Sequence, residues 1–472
     1  MKSRSRKPIR SGFLRYFQRY TVVGAVMAAS VALPADATPS LGADDSAAAQ
    51  RPENTNTPAA AKRKPLFDGK SLAGWKNPYE WGKTEVVDGE IHLIGERKFF
   101  LVTDQIFHDY EFEGEVKLPE GKSNSGFMAR GQVQPNRVSG YQAEADPTER
   151  RWSGGLYDEG RRQWLNPLWK QPDPQAAFDR NRWNRYRIRC VGNHLQFFVN
   201  ELPTTDYFDP VDLSGQIGLQ HHGEQGQMVR FRNLTVRELG QHHWVPLFNA
   251  ETAGEPTGEG EVIPGWKTVG GGTWNVVDGI LEGRASVEAN EPNGLLYSTR
   301  SFANATFRIV YRFTEGDSGF FVRSQITKSN PFVAGVQCEI DASDSVGGLY
   351  QTGGKGWVAK PLHYLETRFP PDRRDVVRAR WGQARRGIPL SNVQMKPPAP
   401  SKTDEPAPNP WQTMVVSVHG KRIVTHLNDC LAADFVVDDL ADRGAIALQL
   451  HGNQNLEIDF RSIEVLEPVT QP

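Results

Sequence analysis

Hydrophobic and polar residues alternate along most of this chain. In YEFEGEVKL (110–118), Phe112, Gly114, Val116 and Leu118 share one parity, and Glu111, Glu113, Glu115 and Lys117 share the other. Successive side chains of a strand point to opposite faces, so a period of two reads as a half-buried strand. TFRIVYRF (306–313) has the same pattern, and RYRIRCVG, HLQFFVN, RFRNLTVREL, TMVVSVHG, RIVTHLN and EIDFRSIEVL continue it. The turn signals VGNH, VHGK, VDGE and VDGI separate these runs at hairpin spacing. No amphipathic helical run longer than about two turns is expected. Short strands with regular turns predict an all-β protein built from two-sheet jelly rolls, with one sheet curved into a groove.

The chain carries this pattern twice. PLFDGKSLAGW, VVDGEI, SNSGFMAR, GYQAEAD, GGLYDEG, WNRYRI and IGLQHHG are answered in the same order by PLFNAET…PGW, VVDGIL, GDSGFFVR, GVQCEID, GGLYQTG, WQTMVV and IALQLHG. A repeat of about 180 residues is the size of a domain, not of a solenoid turn. We expect one domain over 64–240 and a second over 245–468. The offset between matched residues is 193 at Tyr157 and Tyr350 but 228 at Trp183 and Trp411, which places an insertion in the second copy, near 354–408. Its core, VQMKPPAPSKTDEPAPNP, is rich in proline and predicts an extended loop.

Charge narrows the partners. The 472 residues include 55 basic and 56 acidic ones, a net charge of −1, which gives no footing for nucleic acid or an anionic membrane. The N-terminus has seven basic residues among its first 19, then an apolar run of 13 residues from Thr21 to Leu33, then Pro34 and the small pair Ala35 and Ala37 around Asp36. Residues 1–37 read as a signal peptide, since such a run is short for a bilayer core. Residues 38–63 read as a disordered leader. The expected destination is the periplasm or beyond, with no membrane association after cleavage. Three cysteines, Cys190, Cys338 and Cys430, make neither a disulfide framework nor a zinc site.

Candidate chemistry sits on the strand YQAEAD. Gln142, Glu144 and Asp146 share a face, opposite Tyr141, Ala143 and Ala145. The second copy sets Gln337, Glu339 and Asp341 against the apolar Val336, Cys338 and Ile340, so the polar trio belongs on the open face of its sheet. The same parity argument puts Arg130 and Arg323 on that face, as a substrate clamp or an ion pair. Ser125-Gly126 and Ser318-Gly319 mark a place where a side chain would obstruct something close. Tyr157 and Tyr350, after paired glycines, are candidate sugar contacts, and Trp152, Trp164 and Trp169 are candidates for exposed stacking. Gln220 shares a parity with His222, as Gln449 does with His451, and histidine is the natural acid–base group near neutral pH. His221 is matched by Leu450 and is the weaker candidate. No nucleophile elbow, P-loop, dinucleotide fingerprint, zinc-peptidase motif or EF-hand loop occurs.

The ordered set FDGKSLAGW, VVDGEI, NSGFMAR, GYQAEAD, GGLY, WNRYRI, IGLQHHG and VRFRNLTVREL resembles the 3-keto-disaccharide hydrolase family, well over about 65–239 and more loosely over about 246–467. The resemblance implies two tandem concanavalin-like jelly rolls, export, and action on glycosides already oxidised to a ketone at C3. It implies removal of the C2 proton, loss of the C1 oxygen by elimination, and addition of water. On that reading Glu144 and His222 share the roles of base and acid. Arg130 and Gln142 polarise the ketone, Asp146 orients, and Tyr157 and Gln220 contact the sugar. Arg323, Gln337, Glu339, Asp341, Tyr350 and His451 are the second set. The partner is an oxidised di- or oligosaccharide. No cofactor is required, though Glu144 and Asp146 suit Ca2+. A non-catalytic tandem glycan-binding protein and a conventional endo-β-glucanase, with Glu144 and Asp146 as its carboxylate pair, stay open.

Overall fold

The alternation along the strands is explained by packing around a few aromatic side chains. In the computed structural model, which describes residues 62–121, 123–146, 148–256, 258–392 and 409–469, the Phe127 ring lies 5.3 Å from Phe112, 5.1 Å from Tyr186 and 5.5 Å from Phe231. Phe127 belongs to one sheet and its three neighbours to the other, so these contacts close a sandwich. In the second copy Phe320 meets Phe307 across the sheets at 5.6 Å.

Each copy has two antiparallel sheets. The site-bearing sheet of the first runs Gln163–Asn166, Leu156–Glu159, Arg137–Ala145, Ser125–Gln134, Gln216–His221, Phe99–Thr103 and Trp75–Lys76. In the second the corresponding order is Gly356–Ala359, Leu349–Thr352, Val333–Ile340, Ser318–Ile326, Gly444–Leu450, Gly294–Phe302, Trp266–Gly270 and Glu261–Ile263. The expected all-β tandem of jelly rolls is therefore the fold. The outer face of each site-bearing sheet carries its own small apolar cluster, Phe100, Val102, Met128 and Val138 in one and Leu295, Phe321, Val333 and Ala447 in the other.

One expectation is overturned. The insertion of the second copy carries two helices, Pro361–Arg368 and Arg374–Arg385, and the latter has three turns. In RDVVRARWGQAR only Val377, Trp381 and Ala384 are buried, a stripe at helical spacing hidden among four arginines. The helices lie against Cys430–Val436 of their own copy and also reach Trp164 and Tyr207 of the first. Arg380 Nη1 donates to Trp164 O at 3.2 Å, and Arg368 Nη2 to Asn166 Oδ1 at 3.0 Å. Asn193, Thr306 and Ser417 form a buried hydrogen-bonded trio across the same junction. The segment 393–408, where an extended loop is expected, and the expected signal and leader up to residue 61 lie outside the described residues. Among the described residues no helix is long and apolar enough to cross a membrane.

Candidate functional site

Glu144 sits in the middle of the site-bearing sheet, opposite Gly126, and is 6% exposed. Its backbone is held twice by the paired glycines: Glu144 N donates to Gly155 O at 3.1 Å, and Gly154 N donates to Glu144 O at 2.7 Å. The second copy repeats both bonds, Glu339 N to Gly348 O at 3.0 Å and Gly347 N to Glu339 O at 2.8 Å. The glycine pair thus fixes the acidic residue, a link that the sequence motifs alone do not reveal. The Glu144 carboxylate accepts from Asn124 Nδ2 at 2.7 Å and from Gln142 Nε2 at 2.7 Å. Gln142 and Gln220 exchange two amide bonds of 3.0 Å each. Burial is the main influence and raises the carboxyl; the Asn124 bond opposes it, and the Glu144 pKa settles at about 7.

Gly126 has the role expected of it. A Cβ there would lie 2.8 Å from Cγ and Nε2 of Gln142, and at Gly319 a Cβ would lie 2.2 Å from Gln337 Nε2. The adjacent serines are equivalent too: Ser125 Oγ donates to Gln220 O and Ser318 Oγ to Gln449 O, each at 2.8 Å.

Other candidates fall elsewhere. Arg130 is fully buried, and its guanidinium donates to His108 O, Gly192 O and Asp212 O and pairs with Asp109. Arg323 is bound in the same way to Ala303 O, Gly420 O and Ala441 O. The parity argument fails at both because the strand bulges there. The registers shift between Ala129 and Gln132 and between Val322 and Gln325, and the two arginines have φ of 51° and 48°. Both are structural pins, not clamps on the groove. Gln142 spends its amide protons on Glu144 and Gln220, so it positions the carboxylate and does not polarise a ketone.

Asp146 organises the loop after the strand. It accepts from Arg150 Nε at 2.5 Å, Thr148 N at 2.9 Å and Trp152 N at 3.4 Å. Asp341 does the same through Ser343 and Ser345. The oxygens of Asp146 and Glu144 are turned to different N–H donors, and among the described residues no three His, Cys, Asp or Glu side chains are grouped as metal ligands. His222 is exposed beyond the end of its strand and bonds Glu224 at 2.6 Å, while His451 is exposed and bonds Gly452 O at 3.1 Å. Neither is brought to the glutamate of its copy by a hydrogen bond among the described residues. His221 is buried and stacks on Phe99 at 5.5 Å. The three cysteines are free and buried.

Tyr157 and Trp164 pack edge to face at 5.3 Å, as Tyr350 and Trp357 do at 5.5 Å. Burial, with Glu159 and Glu144 nearby, pushes the Tyr157 hydroxyl up to about 12, so it stays a proton-bearing donor. Trp164 is only 6% exposed, under the insertion helices, whereas Trp357 is 41% exposed. Trp152 is also buried, so the expected open stacking surface at these two residues is covered.

Sequence reasoning missed the pair that distinguishes the copies. Asn124 and Asp317 precede the matched Ser-Gly motifs. Each has the parity of the glycine that faces the glutamate, the signal by which both were findable. In the second copy Asp317 faces Glu339 in place of an amide, and Asp317 Oδ1 is buried without a fixed donor. Burial and the second carboxyl push Glu339 up, and burial pushes Asp317 up, so the two hold a proton between them. Glu159, buried and paired with Lys98, was missed as well; its counterpart is Thr352.

A family model described as a 3-keto-alpha-glucoside-1,2-lyase-like domain matches this chain twice, over residues 62–237 and 243–466. Among solved structures, a candidate glycosyl hydrolase from Parabacteroides distasonis is similar at 18% identity over 38% of this chain and 94% of its own, with a TM-score of 0.29. The carbohydrate-binding module CBM66 from Bacillus subtilis is similar at 16% identity over 35% of this chain and 96% of its own, TM-score 0.27. A Bacillus subtilis protein with a galectin-like fold gives 15% identity over 38% and 96%, TM-score 0.30. No curated protein sequence matches the chain.

Proposed function

The chain belongs, through both of its copies, to the 3-keto-alpha-glucoside-1,2-lyase-like family, and on that premise we propose that its first copy cleaves 3-keto-glycosides with Glu144 as the base. The observation that carries this is a single buried carboxylate held by two amide donors, with its pKa raised to about 7. A base poised near the working pH has the best balance of ionised fraction and basicity.

The chemistry follows from the substrate. A ketone at C3 acidifies the C2 proton, and Glu144 takes it while the electron pair moves onto the C3 oxygen. Tyr157, kept neutral, donates its O–H to that oxygen. The enolate then collapses, the C1–O bond breaks as C1=C2 forms, and the proton on Glu144 passes to the departing alcohol oxygen. Water adds to C1 as Glu144 takes its proton and returns it to C2, which gives net hydrolysis and restores the carboxylate. One residue on one face suffices for each transfer, so the mechanism assigns no step to His222, which is exposed and bonded to Glu224.

The second copy supports a binding role. Its two carboxyls share a proton, with Glu339 pushed up to about 9 by burial and by Asp317, which makes the pair a poorer base at neutral pH. Trp357 is open beside Tyr350 and offers a sugar face a platform. Tandem placement then raises the effective concentration of glycan at the first site. The N-terminal basic and apolar segment supports export to the periplasm or beyond.

The test is release of the leaving group from a 3-keto-glucoside and from its unoxidised parent. Release from the keto sugar alone is expected. Release from both would make this a conventional glycosidase, and release from neither would leave a binding protein.

A further inference from the structure

We propose that the insertion of the second copy completes the first copy's site with an anion subsite, in which Arg380 and Arg373 receive a carboxylate or sulfate carried by the glycan. The inference rests on the first copy being the site of glycan binding and deepens it by naming the substrate class. A depression beside Tyr157 is lined by Trp152 and Trp164 of the first copy and by Phe369, Arg373, Val377 and Arg380 of the second. It adjoins the site directly. Arg150 lies over the rings of Trp152 and Trp164 at 5.0 and 5.1 Å and is bonded to Asp146, two residues beyond Glu144. Tyr157 lies within the fields of Glu144, Arg380 and Arg373 together.

The arginines here lack what their neighbours have. Arg161 and Arg162 are each paired with Asp158, at 2.7 and 2.5 Å, and Arg162 also with Asp209. Arg378 pairs with Glu366 and Asp375. Arg380 has Trp164 O as its hydrogen-bond acceptor and forms no ion pair among the described residues. Asp158, whose field reaches it, is already claimed. Among the described residues Arg373 has only Asp372, its exposed chain neighbour, as an ion-pair partner, at 3.8 Å. Arg374 Nε is buried with no acceptor among the described residues. A guanidinium withdrawn from water without a counter-charge is costly, and burial accordingly pulls the Arg380 pKa down. A ligand anion would relieve that cost, and the planar fork of arginine matches the oxygens of a carboxylate or sulfate. Trp357, at the equivalent place in the second copy, has no such cover and stays exposed.

The test is calorimetric titration of the full chain, wild type and Glu144→Gln, with cellobiose, cellobiouronic acid and cellobiose 6′-sulfate. At least one acidic probe is expected to bind about tenfold or more tightly than cellobiose, and the tighter of the two identifies carboxylate or sulfate as the source. Arg380→Gln should bring that preference to within about threefold, Arg380→Lys should keep part of it, and Arg189→Gln, on the other sheet, should keep all of it. If Arg380→Gln fails to fold by circular dichroism, Arg373→Gln, nearer the surface, should still reduce the preference. Equal binding of all three probes by the wild type, or a preference that survives both the Arg380 and Arg373 changes, would overturn the subsite. Absence of keto-sugar turnover with the preference intact would overturn the catalytic reading and leave the subsite standing.

Discussion

Asn124 donates to Glu144 at 2.7 Å, where the second copy places Asp317 against Glu339. That one difference, an amide against an acid, sets how each site holds its proton. An amide N–H favours the carboxylate form, and a second carboxyl opposes it.

Replacement of Glu144 by Gln should therefore abolish the base, and the network is kept if the Asn124 amide turns over so that its Oδ1 accepts from the new NH2. Turnover of a 3-keto-glucoside is expected to fall by about 10²–10⁴, with glycan affinity within a few-fold of wild type. Single-turnover kinetics with parallel titrations would check this; an unchanged rate would exclude Glu144.

The Asn124→Asp exchange should convert the first site toward the second. Glu144 would hold its proton to higher pH, and the rising limb of the pH–rate curve would move up by a unit or more. At pH 7 a shift of one unit takes the ionised fraction from about one half to about one tenth, a loss of about fivefold. The reciprocal Asp317→Asn change should lower the Glu339 pKa, measurable by NMR of the labelled glutamate carboxyl.

Stability should carry the same signature. The Glu144 pKa is raised on folding from 4.5 to about 7, so the folded state binds the extra proton. The stabilising contribution is complete below about pH 4.5 and is lost as pH rises through about 7. Glu144→Gln removes this dependence and should raise stability at pH 8, relative to pH 5, by on the order of 3 kcal/mol. Urea melts at the two pH values give the number.

Arg130 tests the distinction between a structural pin and a substrate clamp. Arg130→Met leaves three backbone carbonyls without their donor and leaves Asp109 with only Gly192 N and His242 as partners among the described residues, and should cost about 3–5 kcal/mol. Specific activity per folded molecule should hold. A selective loss of catalysis in a fully stable protein would restore the clamp.

Much of this was legible in the sequence because it depends on period and repetition. The strand alternation gave the sheets, and the doubled motifs gave the tandem. The face carrying Gln142 and Glu144 followed from parity, and the Gly126 contact from its pairing with serine in both copies. What was not legible depends on local departures from those periods. Arg130 and Arg323 left the expected face because a left-handed residue at a bulge resets the alternation. The helix Arg374–Arg385 was hidden by arginines that outweigh its narrow apolar stripe. Trp164 looked free because the helices that cover it come from more than 190 residues later in the chain. His222 shared a parity with Gln220, yet the strand ends at His221, before that parity fixes a direction.

The central claim is that one carboxyl, Glu144, is the base. The most direct measurement is the rate of leaving-group release from a 3-keto-glucoside between pH 5 and 9 for wild type, Glu144→Gln and Glu339→Gln. A wild-type rate that climbs through about pH 7 is predicted, lost in Glu144→Gln and retained in Glu339→Gln. A rate that survives Glu144→Gln, or that disappears only with Glu339→Gln, would contradict it.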